Sequence, residues 1–397
     1  MSKSVVGGIL LVVGTSIGGG MLALPMITAS LGFFNSMVLF FVVWALMTLS
    51  AFLILEINLS LPKGSNLISM ARMSLGRTGA CVTWFVYLLL LYSLLSAYLA
   101  GGGDLLQHLS AWHFSLTLHQ SIFVFAAVFA GMVYGGVRCV DWLTRVLMLI
   151  KFVLFVLLLL FISPHVSFER LELGQAYLFQ AALAASTTSF GFAIIVPTLC
   201  DYYDNDLPKL KQVLFIGSLI PLICYILWVA VVRGSLLLSG PYGLVSISHS
   251  AQSVSRLTEA LAHVTDSVWL NEVVHSFSAV CLVTSFLGVC LCCVDFIADG
   301  LGIKKLGWSK LIIFFLTLAP PLLISQIIPR AFVLALSYAG LWCILLLILL
   351  PMLMAYSNRY ILKNIGEYQV MGGKSTLIIG GFLALVALLV TIQFLFL

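Results

Sequence analysis

The chain has 397 residues, of which 62% are hydrophobic and only 8% charged, against about 25% charged in soluble domains. With a mean hydropathy of +1.17 it carries more apolar surface than a water-soluble fold could hide, so it reads as an integral membrane protein. Its net charge of +5 is spread over 19 basic residues with no basic patch, which excludes a nucleic-acid binder, and its nine Cys lie mostly in apolar runs, which excludes a disulfide framework.

A spanning helix needs about 20 mostly apolar residues. Eleven segments qualify, near 5–30, 33–60, 80–107, 120–136, 142–163, 175–200, 209–235, 271–300, 308–326, 330–357 and 375–397. Long apolar runs without period-two alternation predict helices rather than barrel strands. The first run continues through Pro25 to Leu31 and holds a glycine cluster, so it is read as a span and not as a cleaved signal peptide.

Span one reads Gly14-Thr15-Ser16-Ile17-Gly18-Gly19-Gly20-Met21-Leu22-Ala23-Leu24-Pro25. Each glycine weakens a helix by about 1 kcal/mol relative to alanine. Three in succession behind Thr15 and Ser16 exceed what close packing needs, and predict an unwound turn. Glu56 and Asn58 lie late in span two, and Glu56 suits a bond to neighbouring backbone or a place in a cytoplasmic gate. Span three carries Tyr92 and Tyr98, and Asp104 near its outer end is expected to be solvated.

Lys151 lies about nine residues, or roughly 14 Å, into span five. That is near the middle of a hydrocarbon core of about 30 Å. A centred lysine costs about 2.5 to 3.5 kcal/mol on insertion scales, so it is expected to face protein and to have a function. Snorkelling to the cytoplasmic interface is the alternative, and the depth makes it awkward.

Span six repeats the design of span one as Ser186-Thr187-Thr188-Ser189-Phe190-Gly191-Phe192-Ala193-Ile194-Ile195-Val196-Pro197. The glycine precedes the proline by the same interval in both, and Thr15 and Ser16 align with Thr187 and Thr188. Spans one and six would each open a five-helix repeat, and an odd number of spans per repeat inverts the second. The boundaries follow: 1–163 for the first repeat, 164–357 for the second, and 358–397 for a loop and an eleventh helix.

Paired interrupted spans point to a transporter binding site, because an unwound turn frees backbone groups that lipid cannot satisfy. Half-helix N-termini favour a carboxylate and C-termini an ammonium, which matches a zwitterionic amino acid. The candidate substrate residues are Thr15, Ser16, Gly18, Gly19, Gly20, Ser186, Thr187, Ser189, Phe190 and Gly191, with Tyr92 and Tyr98. Phe190 and Phe192 flank the second break. In span eight, Thr284 and Ser285 fall at a depth comparable to Lys151. A lysine ammonium held by both hydroxyls and by freed carbonyls of span one would resemble a sodium site with the ion replaced, and its protonation could couple to conformation.

With the N-terminus cytoplasmic, fourteen basic residues fall inside and four (Arg170, Arg233, Arg256 and Arg330) outside, which fixes a cytoplasmic N-terminus and a periplasmic C-terminus. Asp201, Asp204 and Asp206 follow span six as a solvated loop, with Lys209 and Lys211 as possible partners. The outer loop 236–270 has Val254, Leu257, Leu261 and Val264 on one helical face, read as a surface helix lying on the bundle or as a lid. The seven His map to the outer side, where loop or interfacial placement is expected. Cys290, Cys292 and Cys293 read as packing residues rather than a metal site.

The sequence resembles the bacterial hydroxy and aromatic amino acid permeases of the tyrosine-specific and tryptophan type, within the amino acid–polyamine–organocation superfamily. The resemblance rests on the glycine-rich span one and on Thr284-Ser285-Phe286-Leu287-Gly288-Val289 followed by Asp295-Phe296-Ile297-Ala298-Asp299. Leu61-Pro62-Lys63-Gly64 and Pro164-His165 give weaker support. It implies an all-α, LeuT-type fold of five plus five inverted helices with an eleventh added, and discontinuous helices one and six. It further implies proton-driven symport of an aromatic amino acid across a bacterial inner membrane, with Lys151 in place of bound sodium. No cofactor, nucleic acid or obligatory protein partner is expected beyond substrate and bilayer. Tyrosine is preferred over tryptophan; a broader aromatic or hydroxy amino acid permease is the alternative, and a non-transporting amino acid sensor the alternative of another class. A membrane enzyme would need a nucleophile–base pair or metal cluster at depth, and a channel a filter sequence; neither is found.

Overall fold

The structure, a computed structural model, describes residues 4–111, 116–172, 179–240, 242–264, 268–303, 305–328, 330–364, 366 and 368–396. Span one is two helices, α1 (Val5–Ser16) and α2 (Gly19–Ile27), with a 51° bend at the break. Ile17 and Gly18 between them are extended. Span two is α3 (Phe33–Leu59).

Span three starts earlier than its hydropathy suggests, in α4 (Leu67–Ser110). Asn66 caps it, its side chain accepting the Ser69 N–H at 2.9 Å. Leu67, Met70, Ala71 and Ser74 are buried at helical spacing, a stripe that Arg72 and Arg77 hide from a simple hydropathy reading. Gly76 then redirects the chain at φ 77°, a conformation that favours glycine.

A capping box of Thr117 and Gln120 opens α5 (Leu118–Gly135), followed by α6 (Val137–Ile162) and the short α7 (Phe168–Glu172). Span six is α8 (Phe179–Ser189), a five-residue 3-10 stretch Gly191–Ile195, and α9 (Val196–Tyr202). Its interruption is therefore gentler than that of span one. Next come α10 (Leu207–Ser235), the surface helices α11 (Leu244–Ser248) and α12 (Ser253–His263), then α13 (Val268–Leu301) and α14 (Gly307–Ile327). Span ten runs from α15 (Ala331–Cys343) through π-helical turns Ile344–Leu349 to α16 (Leu350–Tyr356) and a second π stretch, Ser357–Ile361. The last span is α17 (Gly373–Phe396).

Among the described residues the bundle is an all-helical, LeuT-type membrane fold, with eleven spans when the bent first pair is taken as one. The two interrupted spans lie at its centre, with α2 against α8 and with α4, α10, α13 and α15 around them. Gly340 lets α15 approach so closely that an added Cβ would meet the backbone of Ala184, 2.7 Å from its Cα.

Two sequence expectations change. Asp104 is not solvated: it is 2% exposed, and its carboxylate accepts the N–H groups of Val254 (2.9 Å) and Ser255 (3.1 Å) and the Ser255 hydroxyl (2.6 Å). An acceptor at the four unpaired amides of a helix start explains why a carboxylate tolerates burial there. It pins α12 to the bundle, where Val254, Leu257 and Leu261 are buried and Val264 is half-buried. His275 is neither in a loop nor exposed. It is buried in α13, with its ring stacked on that of His108 at 5.0 Å. His113 lies outside the described residues.

Candidate functional site

The two breaks meet. A Cβ added to Gly20 would stand 3.0 Å from Ser189 Oγ, and one on Gly19 would stand 2.7 Å from Cε1 of Tyr98; one on Gly18 would fall on Ser285 Oγ. Side chains larger than hydrogen would thus separate α2 from α8, α4 and α13. α2 begins at this junction, where Gly19 N–H donates to Ser285 Oγ at 2.8 Å and Met21 N–H to Gly18 O at 3.1 Å.

From the opposite side come the last carbonyls of α1 and α8. Tyr225 of α10 is wholly buried, and its hydroxyl lies 2.6 Å from Ser16 O and 2.8 Å from Ser189 O. Trp228, one turn on, donates its indole N–H to Met21 O at 3.1 Å. The Phe190 ring packs edge-on against Tyr225 at 5.0 Å and against Phe40 at 6.4 Å. Phe192 is buried below it.

Lys151 is 1% exposed. Its Nζ donates to Ile17 O at 2.6 Å, inside the first break, and to Thr284 Oγ1 at 3.3 Å. Thr284 can accept because its own proton goes to Val280 O at 2.7 Å. The amine therefore ties α1, α6 and α13 together at one point. Ser285 does not join it. Threonine and serine adjacent on a helix point about 100° apart, and Ser285 turns instead to the Gly19 amide.

The remaining candidates lie beside the cradle or outside it. Ser186 and Thr187 are buried, with hydroxyls bonded back to Ala182 O (2.6 Å) and Leu183 O (2.8 Å). Thr188 donates towards Ala184 O and Leu336 O, which joins α8 to α15. Gly191 is half-buried near Cys343. Thr15 is exposed and bonds Leu11 O at 2.6 Å, and Tyr92 reaches Leu316 O of α14 at 2.7 Å. Those two are not brought to the junction.

Sequence reasoning passed over Tyr225 and Trp228. The available signal was a pair of aromatic residues with polar tips, three apart in an apolar helix, which in lipid must find acceptors. It also passed over Arg359. Glu56 forms a buried two-point ion pair with that residue: Arg359 Nε donates to Oε1 at 2.6 Å, a second nitrogen reaches Oε2, and Val370 N–H adds a third bond at 2.7 Å. Glu56 thereby fastens α3 to the chain between spans ten and eleven. Nearby, Tyr203 donates to Ser4 O at 2.7 Å and accepts from Gly8 N–H at 3.0 Å, clasping α1 to the end of α9. The Lys209 ammonium, 2.6 Å from Asp206, holds that carboxyl below its ordinary range. Asp201 accepts from Gly64 N–H at 3.0 Å. Lys211 does not pair with the acidic loop as expected but lies 4.3 Å from the centre of the Tyr368 ring, a contact a long apolar stem makes easily.

Residues 1–393 match the sequence model of the tryptophan/tyrosine permease family. A tyrosine-specific transport system 2 from Haemophilus influenzae is 32% identical over 390 residues, covering 97% of this chain and 95% of that protein. A tryptophan-specific transport protein from the same organism is 33% identical over 388 residues, covering 94% and 91%. Among solved structures, a mutant manganese transporter from Eremococcus coleocola superposes with a TM-score of 0.66 at 13% identity, covering 97% of this chain and 84% of that one. That likeness is one of fold.

Proposed function

We propose a function that starts from one fact: this chain belongs to the tryptophan/tyrosine permease family. It is a proton-coupled symporter that imports an aromatic L-amino acid, tyrosine foremost, across the bacterial inner membrane by alternating access. The observation that carries this reading is the Lys151 amine bonded to Ile17 O in the break of span one and to Thr284.

Protonated, the amine makes charge-assisted bonds that hold the break against α6 and α13. Neutral, it loses that advantage and the break is freed to move. The proton is the coupling ion, in the place where sodium would otherwise sit. The substrate ammonium is received by the Ser16 and Ser189 carbonyls, and its carboxylate by the N-terminus of α2. Its ring lies against Tyr98 and Phe190. Residues 1–163 and 164–357 act as the two inverted repeats, with 358–397 added, and the fourteen-to-four distribution of basic residues supports a cytoplasmic N-terminus.

A tyrosine-named and a tryptophan-named relative are each 33% identical to the chain, so substrate preference is a question for measurement. Purified protein in liposomes with an acidic exterior is expected to take up labelled tyrosine saturably, with unlabelled tyrosine the strongest competitor, tryptophan and phenylalanine weaker, and serine and glutamine weakest. A site that bonds a phenol rejects its deoxy analogue by large factors. Uptake driven by sodium without a proton gradient would remove the coupling assignment. Binding without flux would instead indicate a sensor.

A further inference from the structure

We infer that Tyr225 is an internal stand-in for the substrate's α-ammonium group: its hydroxyl holds the Ser16 and Ser189 carbonyls together, and an incoming amine must displace it. The inference rests on the transport reading above and adds a residue that sets which ligands can open the site.

The argument begins with counting donors. Three oxygens meet at this point, Ser16 O, Ser189 O and Tyr225 Oη, with the hydroxyl 2.6 and 2.8 Å from the two carbonyls. A phenol has one proton to give, so one O···O contact is always undersupplied. An ammonium brings three donors and a positive charge, and the ends of two half-helices supply partial negative charge. The position of Oη is therefore one that a charged amine satisfies better than the tyrosine does.

Space excludes simple addition. Tyr225 is wholly buried, with Phe190 packed on its ring at 5.0 Å. Oη already occupies the locus within hydrogen-bond distance of both carbonyls. An amine arriving there must turn the tyrosine aside, and doing so unlocks α1 from α8. Ligands without an amine have nothing to exchange for that bond. Tyr225 is thus a positioning residue that makes opening conditional on an α-ammonium group.

The test is equilibrium binding to the full-length protein in nanodiscs, with L-tyrosine and with 3-(4-hydroxyphenyl)propionate, which keeps the phenol and carboxylate but lacks the amine. Tyr225→Phe removes the competitor and is expected to bind L-tyrosine about tenfold more tightly, the scale of one hydrogen bond no longer traded. Affinity for the deaminated acid should not change. Site-specific 3-fluorotyrosine at position 225 keeps the shape but strengthens the donor, so L-tyrosine should bind about twofold more weakly; this reading survives even if the phenylalanine variant folds poorly. Unchanged or weaker L-tyrosine binding by Tyr225→Phe, or a parallel shift for both ligands, overturns the inference and leaves the transport reading standing. A wild-type protein that binds no aromatic amino acid overturns both.

Discussion

Lys151→Ala is expected to abolish uptake driven by a proton gradient, lowering the initial rate by about 100-fold or more. The figure corresponds to two bonds from a charged donor, to Ile17 O and Thr284 Oγ1, at about 1.5 to 3 kcal/mol each, of which one alone is worth roughly a factor of 10 to 100. Alanine also leaves the Ile17 carbonyl without its donor in a dry interior, which biases the break towards whichever arrangement finds a new one. Substrate exchange without net flux requires no proton and should survive better than uptake. Lys151→Arg separates charge from titration, because a guanidinium stays protonated throughout the accessible range. It should permit exchange and still fail to couple. Gradient-driven uptake at the wild-type rate in the alanine protein would take Lys151 out of the mechanism.

The second large effect concerns stability. Glu56 is 6% exposed and Arg359 7%, and each is the other's counter-ion. Glu56→Gln leaves the guanidinium buried without a negative partner, a situation that costs about 3 to 5 kcal/mol. A marked fall in the melting temperature of the detergent-solubilised protein is expected, together with easier proteolysis between spans ten and eleven, since Val370 loses its carboxylate acceptor. Glu56→Gln combined with Arg359→Met removes both charges and should recover part of the loss, because it is the unpaired charge that destabilises. A single variant as stable as wild type would show that the pair does not fasten the helices.

What the sequence disclosed and what it concealed divide along a physical line. Helices, spans and both interruptions were legible because bilayer thickness, glycine and proline act locally on the chain. Lys151 was legible because a cation at mid-depth is costly enough to demand a partner. Its carbonyl partner followed from the freed backbone of span one, and Thr284 from depth alone. Ser285 was misassigned because depth does not fix direction, and neighbouring helical residues face different ways. Asp104, His275 and Arg359 were hidden for a further reason. Each is buried against a partner far away in sequence: α12, His108 and Glu56 respectively. Tyr225 belongs with them, since its role exists only where the carbonyl ends of two helices converge.

The 3-10 winding of Gly191–Ile195 has a mechanical corollary. Such a stretch rises about 2.0 Å per residue against 1.5 Å in an α-helix and turns about 20° more at each step. Relaxing those five residues would draw α9 towards α8 by about 2.5 Å while rotating it through roughly 100°, a screw stroke rather than a swing. Tyr203, at the far end of α9, would be wrenched from Ser4 and Gly8 by that rotation. Paired spin labels flanking the stretch would register the shortening during turnover, and a fixed separation would leave span one as the sole moving joint.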